Sequence, residues 1–344
     1  MTATSTQDSG AALRVIAPAP LATIQDLGRY GYQRFGVAVS GAMDAVALRL
    51  ANALVGNPPG EGAIEFTLAG GSYIVEAEVC RVAVTGGEFP LSINNASAAY
   101  NASHTLRRGS RIAIGPAVRG CRGYLAVAGG FDIAPALGSR STHLRSRLGG
   151  LDGAALAGGQ HLPLRNPSAF LGPDLQLPPA RWPADDGPLR VVMGPQDDYY
   201  TEAGTRTFLE SVYRVTPQSD RMGYRLEGPE IEFAGDYNII SDGIAPGSVQ
   251  VVGNRQPIIL LADRQTTGGY PKIATVISAD LLRLAQRRPG DQLRFEAIST
   301  EAAEELCVDL GRRLDALADT LVRRADAKTS RLLATNLIDG VAGV

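Results

Sequence analysis

The sequence predicts a mainly β protein with short helices, arranged as two strand-rich domains. Three observations carry this. There are 40 glycines and 21 prolines among 344 residues, well above the usual combined share of about 12%, while hydrophobic residues hold an ordinary 44%. Short apolar segments of period two recur between glycine-bearing turns. A cluster of prolines near the middle divides the chain into halves of domain size. The apolar content excludes a disordered chain. The formal net charge of −2 argues against a nucleic-acid-binding surface, which is normally basic.

Taken in order, residues 1–12 are polar and read as a flexible tail without a signal-peptide pattern. The N-terminal domain, 13–165, opens with the apolar run Leu13 to Ala17. A helix follows in which Met43, Val46, Ala47, Leu50, Ala51 and Leu54 keep the i, i+3, i+4, i+7 spacing. Ser40 or Gly41 is its expected cap, Asp44 lies in its first turn, and Gly56 ends it. Then Tyr73–Val75, Arg81–Val84, Leu91–Ile93, Arg111–Ile114 and Tyr124–Val127 read as strands. Residues 166–188 form a stiff linker, dense in proline and carrying the lone Trp182.

The C-terminal domain, 189–298, begins with the strand Leu189–Met193 and a helix from about Tyr199 to Val212. Strands recur at Ser248–Val252, Pro257–Ala262 and Gln292–Glu296. A helix over Ala279–Arg287, capped by Ser278, precedes the last of them. Residues 299–344 are a C-terminal helix and tail, with Ala302, Leu306, Leu310, Leu314, Leu317 and Leu321 on one amphipathic face from Glu301 to Arg324. Cys80, Cys121 and Cys307 are too scattered for a disulfide framework or a zinc site. The longest apolar runs are strand-length, far short of the roughly 20 residues of a membrane helix. The expected setting is a reducing cytoplasm, with no membrane and no nucleic acid as partner.

Standard catalytic motifs are absent, and His104, His143 and His161 are dispersed. Chemistry must therefore rest on Asp, Arg, Lys, Gln, Tyr and backbone amides. Two segments concentrate these groups. In Gln25-Asp-Leu-Gly-Arg-Tyr-Gly31, Asp26 and Arg29 have the spacing of a bidentate pair in a turn, and the helix start at Ser40–Asp44 offers free N–H groups to an anion. The plainer alternative is a tied loop and a helix cap. In Asp263-Arg-Gln-Thr-Thr-Gly-Gly-Tyr-Pro-Lys272, a strand end leads into polar residues. Gly268 and Gly269 there permit an anion-binding nest. Thr266, Thr267 and Lys272 add donors, Asp263 is a candidate base, and Gln250 lies on the strand upstream. The alternative here is an ordinary Gly-Gly turn. Ser219-Asp-Arg-Met-Gly-Tyr-Arg225 suggests carboxylate or phosphate recognition, or a solvated loop of structural arginines.

In order along the chain, Gln25-Asp-Leu-Gly-Arg-x-Gly31, Gly36-Val-x-x-Ser-Gly-Ala-Met-Asp44 and Ala51-Asn-x-Leu-Val-Gly-Asn57 form one series. Tyr124-Leu-Ala-Val-Ala-Gly-Gly130, Gly138-Ser-Arg-Ser-Thr142 and Gly149-Gly-Leu-Asp-Gly153 extend it. Asp220-Arg-Met-Gly-Tyr-Arg-Leu226, Gly247-Ser-Val-Gln250 and Asp263 through Pro271 complete it. Together they resemble the biotin-dependent carboxyltransferase / allophanate hydrolase subunit 2 family over about residues 13–297. Members include the C component of an ATP-dependent 5-oxoprolinase complex, an antagonist of a sporulation-kinase inhibitor, and part of urea carboxylase.

The resemblance implies two linked β-barrel domains of cyclophilin-like architecture. It implies an amide hydrolase, opening the lactam of 5-oxo-L-proline to L-glutamate with ATP and Mg²⁺ in the complex. Such a chain is active only with the A and B components of 5-oxoprolinase, the B component being similar to allophanate hydrolase subunit 1. Two alternatives accompany it: a carboxyltransferase acting on urea or another amide with biotin from a partner chain, and a non-catalytic regulator bound to a kinase inhibitor. The resemblance also implies a cleft with catalytic Asp26, Arg29, Asp263 and Lys272. Around them it sets the substrate contacts Ser40, Asp44, Gln250, Gln265, Thr266, Thr267, Gly268, Gly269 and Tyr270, with no metal ligands. Two departures stand out. No Met-Lys biotin-attachment context is present, so no covalent biotin is expected on this chain. The strand Val249-Gln-Val-Val252 lacks the family's proline.

Overall fold

A computed structural model describes residues 10–170, 172–178 and 187–324. The expected tail up to residue 9, Trp182 and residues 325–344 lie outside the described residues.

The N-terminal domain is two antiparallel sheets closed over one core. One sheet runs His161–Pro163, Ala12–Pro18, Ala69–Val75, Arg111–Pro116, Leu91–Ile93, Ala96–Ala98. The other runs Thr23–Gln25, Ala63–Thr67, Arg119–Val127, Val79–Glu88, Ala102–Arg107, Leu175–Gln176, Val322–Arg323. Leu13, Val15, Tyr73 and Ile112 of the first meet Ile64, Phe66, Val82 and Leu125 of the second. The strand Val79–Glu88 is buried on both faces. Cys80, Val82 and Val84 face that core, while Ala83 turns to helix α1, Ala45–Val55. A small side chain there lets helix and sheet approach. Burial pushes the Cys80 thiol up to about 12, so it is an inert packing group.

The C-terminal domain is a near-closed barrel. Its sheet order is Gln292–Leu293, Tyr213–Val215, Gly223–Glu227, Pro257–Leu260, Ser248–Val251, Lys272–Val276, Leu189–Met193, Phe295–Ala297. The two ends of that order are consecutive in sequence. Leu293 pairs with Tyr213 and Phe295 with Leu189, so the chain around Arg294 bridges both edges and removes them. The expected strand Gln292–Glu296 is therefore two strands with different neighbours. Phe208, Tyr213 and Phe295 fill the interior, with the Phe208 and Phe295 rings stacked at 4.4 Å.

Several boundaries differ from expectation. Asp44 itself caps α1, its Oδ1 accepting from Ala47 N at 2.9 Å; Ser40 and Gly41 lie outside the helix. The second helix, α2, spans only Glu202–Glu210, because Tyr200 is held extended beside Phe233. The third, α3, is Leu281–Ala285 after a 3₁₀ turn. Ser278 does not cap it, and the adjacent Asp280 turns inward to Arg190 and Arg283. The last, α4, is Thr300–Asp315; the chain beyond it becomes a 3₁₀ turn and the strand Val322–Arg323.

The described part of the proline-rich stretch is extended and lies along the N-terminal domain. Arg81 stacks on Phe170 at 3.3 Å and donates to the carbonyls of Gly172 (2.7 Å) and Pro173 (3.2 Å). Among the described residues, no helix is long and apolar enough to cross a membrane.

Candidate functional site

The two domains meet through buried polar groups. Arg221, in the turn before the strand Gly223–Glu227, reaches across the seam. Its Nε and Nη2 clasp Asp263 Oδ2 and Oδ1 at 2.8 and 3.0 Å, its Nη1 donates to Glu65, and Nη2 also reaches the Gly41 carbonyl at 2.7 Å. Glu65 accepts in addition from Met43 N at 2.9 Å and Tyr124 Oη at 2.7 Å, and Tyr124 Oη accepts from Asp44 N at 2.8 Å. Burial opposes the Arg221 charge, but Glu65 and Asp263 together outweigh it and hold its pKa above the usual value.

Beside this network Gln286, at the end of α3, plugs into the N-terminal domain. Its Oε1 accepts from Cys121 N (2.9 Å) and Arg122 N (3.1 Å). Its Nε2 donates to Asp44 Oδ2 (2.8 Å) and the Arg122 carbonyl (3.1 Å). Burial pushes the Asp44 carboxyl above its ordinary value. Gln286→Ala removes the partner of two buried donors and two acceptors and is expected to lower stability by about 1–3 kcal/mol, read from the denaturant midpoint at unchanged slope.

The sequence candidates separate into two groups. Asp26, Arg29, Ser40, Asp44 and Asp263 lie at the seam. The backbone N–H of Ser40 donates to the Ala262 carbonyl at 3.1 Å, which brings the two predicted segments together. Asp26 and Arg29 do not form the bidentate pair that their spacing suggested. Asp26 instead accepts from Gly28 N, Ser139 Oγ, Ser141 Oγ and Arg140 N at 2.5–2.8 Å. It thereby ties down the loop Gly138–Thr142. Arg29 donates to the Ser141 carbonyl, while its buried Nε and Nη1 have no hydrogen-bond partner among the described residues. Burial lowers its pKa against the opposing pull of Asp26 and Asp263. Asp263, the candidate base, has both oxygens committed to Arg221. The Ser219–Arg225 arginine thus recognises carboxylates, but the protein's own.

The second group surrounds a small two-stranded ribbon, Asp242–Gly243 paired with Thr267–Gly268. Lys272 Nζ donates to Asp242 Oδ2 at 2.6 Å and to the Gly243 carbonyl at 3.0 Å. The lysine side chain is 3% exposed and the aspartate 51%, so the pair has a wet end and a dry end. The hydrogen bond from Lys272, with those from Gly243 N–H and Gln196, holds the Asp242 carboxyl below its ordinary value. Gln196 Nε2 lies 3.2 Å from Asp242 Oδ2 and its Oε1 accepts from Lys272 N. Gln250 Nε2 donates to the Tyr270 carbonyl at 3.1 Å. Gln265, Thr267 and Tyr270 are exposed and Thr266 half-buried.

Gly268 and Gly269 do not form the expected nest, since neither has a positive φ. Gly268 serves close approach instead: a Cβ there would stand 2.8 Å from Ile244 Cδ1 and 2.9 Å from Gln250 Nε2. The segment therefore offers an anion the Lys272 ammonium, shared with Asp242, but no nest of glycine N–H groups. Among the described residues, no group of three or more His, Cys, Asp or Glu is placed to hold a metal ion. The residues missed by sequence reading are Asp242, Gln196, Glu65, Tyr124 and Gln286. Only the lone charges on otherwise apolar strands, Glu65 among Ala63–Thr67 above all, carried any signal.

Residues 35–297 match the family described as carboxyltransferase domain, subdomain A and B. The C component of 5-oxoprolinase from Escherichia coli K12 is 36% identical over 307 residues, covering 89% of this chain and 97% of that protein. Its Haemophilus influenzae counterpart is 38% identical over 311 residues, covering 89% and 96%. The crystal structure of Kluyveromyces lactis urea carboxylase superposes with a TM-score of 0.85 at 31% identity, over 94% of this chain and 31% of that one.

Proposed function

The chain belongs to the carboxyltransferase-domain family of subdomains A and B, and on that premise we propose that it is the C-type component of an ATP-dependent 5-oxoprolinase. Its partners in this reading are the A-type and B-type components of that enzyme, and its product, made jointly with them in the cytoplasm, is L-glutamate. The observation that carries the reading is near-full-length correspondence with two bacterial 5-oxoprolinase C components, 96–97% of each being covered.

The ribbon site suits the substrate. A lactam is planar, with a donor N–H beside an acceptor C=O. The amides of Gln250 and Gln265 flank Gly268, and the Lys272–Asp242 pair supplies a cation and a partly exposed carboxylate. In this proposal Lys272 neutralises the negative charge of the phosphoryl group as the lactam oxygen takes it, and Asp242 holds the ammonium in place. ATP, with Mg²⁺, supplies that phosphoryl group; ADP leaves, the lactam N–H proton passes to water, and the phosphorylated oxygen becomes a leaving group. In this reading a partner chain holds the nucleotide and presents its phosphoryl group to the lactam oxygen. Asp26, Arg29, Ser40, Asp44 and Asp263 act by fixing the seam on which the ribbon is mounted.

The likeness to K. lactis urea carboxylase favours a second reading, carboxyl transfer to urea or another amide with biotin carried by a partner. Reconstitution separates the two. Purified chain mixed with A-type and B-type partners is expected to release glutamate from 5-oxoproline only with ATP. Glutamate release that is absent with all partners present, together with bicarbonate-dependent carboxylation of urea beside a biotinylated partner, would replace the first reading with the second.

A further inference from the structure

The N-terminal domain's larger sheet ends on two strands supplied from far along the chain, Leu175–Gln176 and then Val322–Arg323. The second arrives as a strap. Leu314 at the end of α4, and Leu317 and Leu321 beyond it, pack in the cluster around α1, and the chain then pairs with Leu175–Gln176. Arg324 closes the strap. Its backbone N–H donates to the Asp174 carbonyl at 2.8 Å, its Nη2 to Asp174 Oδ2 at 3.0 Å, and its Nη1 to His104 Nδ1 at 2.6 Å.

The other ring nitrogen fixes the protonation state of His104. Nε2 lies 2.7 Å from the carbonyl oxygen of Ala99. A carbonyl only accepts, so Nε2 carries the proton and Nδ1 presents a lone pair, the one arrangement in which Nδ1 can accept from an arginine. We propose that the His104–Arg324 bond is an acid-released latch, and that protonation of His104 detaches the strap of residues 317–324 from the N-terminal domain.

A second proton on the ring would point at the Arg324 N–H and place two cations in contact. The charged groups acting on His104 are Arg324 from the strap and Asp174 from the proline-rich stretch. Asp174 cannot offset an imidazolium easily, because Arg81 at 3.3 Å, Arg324 and the Thr105 Oγ1–H at 2.8 Å already share it. Burial depresses the His104 pKa, the Arg324 charge adds to this, and the Ala99 carbonyl and Asp174 oppose it. The latched state therefore holds neutral His104, and the unlatched state titrates near the ordinary value of about 6.5. Linkage fixes the sign: the latch is at full strength above that value and weakens as pH falls through it. Between pH 7.5 and 5.5 the open population rises about tenfold if only the open form takes the proton.

Amide hydrogen exchange on the full chain tests this. After correction for intrinsic exchange, protection of the 317–324 amides is expected to fall about tenfold from pH 7.5 to 5.5, with the amides of α1 unchanged. In His104→Gln the same amides are expected to show no such change. Equal protection at both pH values in the unaltered protein, or the same fall in His104→Gln, would overturn the latch. Imidazole nitrogen shifts of the unaltered protein supply a check that needs no variant. At pH 7.5 His104 is expected as the Nε2–H tautomer, and an Nδ1–H tautomer would equally overturn it.

Discussion

Arg221→Met is expected to destabilise the protein by about 3–5 kcal/mol, the cost of removing one partner from a buried charge network. The guanidinium bridges Glu65 of one domain and Asp263 of the other. Its loss is felt unequally. Glu65 keeps the N–H of Met43 and the hydroxyl of Tyr124 as donors. Asp263 loses both of its hydrogen bonds to the guanidinium at once. In the Arg221→Met background, Asp263→Asn should therefore recover more stability than Glu65→Gln, because a neutral amide is cheaper to bury unpaired than a carboxylate. Arg221→Lys should fall between the unaltered protein and Arg221→Met, since an ammonium restores the charge but cannot span two carboxylates with a fork. Chemical denaturation of the four variants reads all of this, and equal recovery by the two carboxylate substitutions would refute the asymmetry. By the same argument Asp263→Ala lowers stability, so lost turnover in that variant would not mark Asp263 as a base.

How much of this was legible in the sequence depends on the range of the interaction that decides each element. The strand Leu91–Ile93 falls where period-two patterning put it, and the expected Arg111–Ile114 lies within Arg111–Pro116, because alternation is local. The α1 pattern is local too, although its cap moved to Asp44. The barrel closure at Arg294 was not legible. It depends on Leu293 and Phe295 choosing partners about 80 and 106 residues away, and pattern within the segment is the same whether one neighbour or two are involved. Asp26 was found, and of its two readings the tied loop holds rather than the pair with Arg29; its partners Ser139, Arg140 and Ser141 could not be named because they lie 113–115 residues on. Gly268 was misread for a different reason. Glycine is chosen both for positive φ and for close approach, and only the position of Ile244 and Gln250 tells which applies. Asp242 was missed because a lone aspartate before a glycine reads as turn chemistry.

Lys272→Met is expected to act on turnover rather than on folding, in contrast to Arg221. Methionine fills the same buried channel with an unbranched apolar chain. Its removal of the ammonium leaves Asp242 half exposed, where water can replace the lost bond. The stability cost should accordingly stay below about 1.5 kcal/mol, the range of volume-conserving exchanges. If Lys272 neutralises the phosphoryl group as the lactam oxygen takes it, glutamate release by the reconstituted complex should drop by about 10²–10³-fold, as for the loss of one preorganised donor. Asp242→Asn gives the complementary case. It keeps an oxygen for the ammonium to donate to but removes the negative charge, so it should lose less than Lys272→Met. The decisive comparison sets rate against melting. A Lys272→Met protein that assembles and melts like the unaltered chain but has lost turnover places chemistry at the ribbon. A variant with full turnover moves the reacting atoms off the ribbon altogether, leaving the Lys272–Asp242 pair as a tie that holds Asp242–Gly243 against Thr267–Gly268.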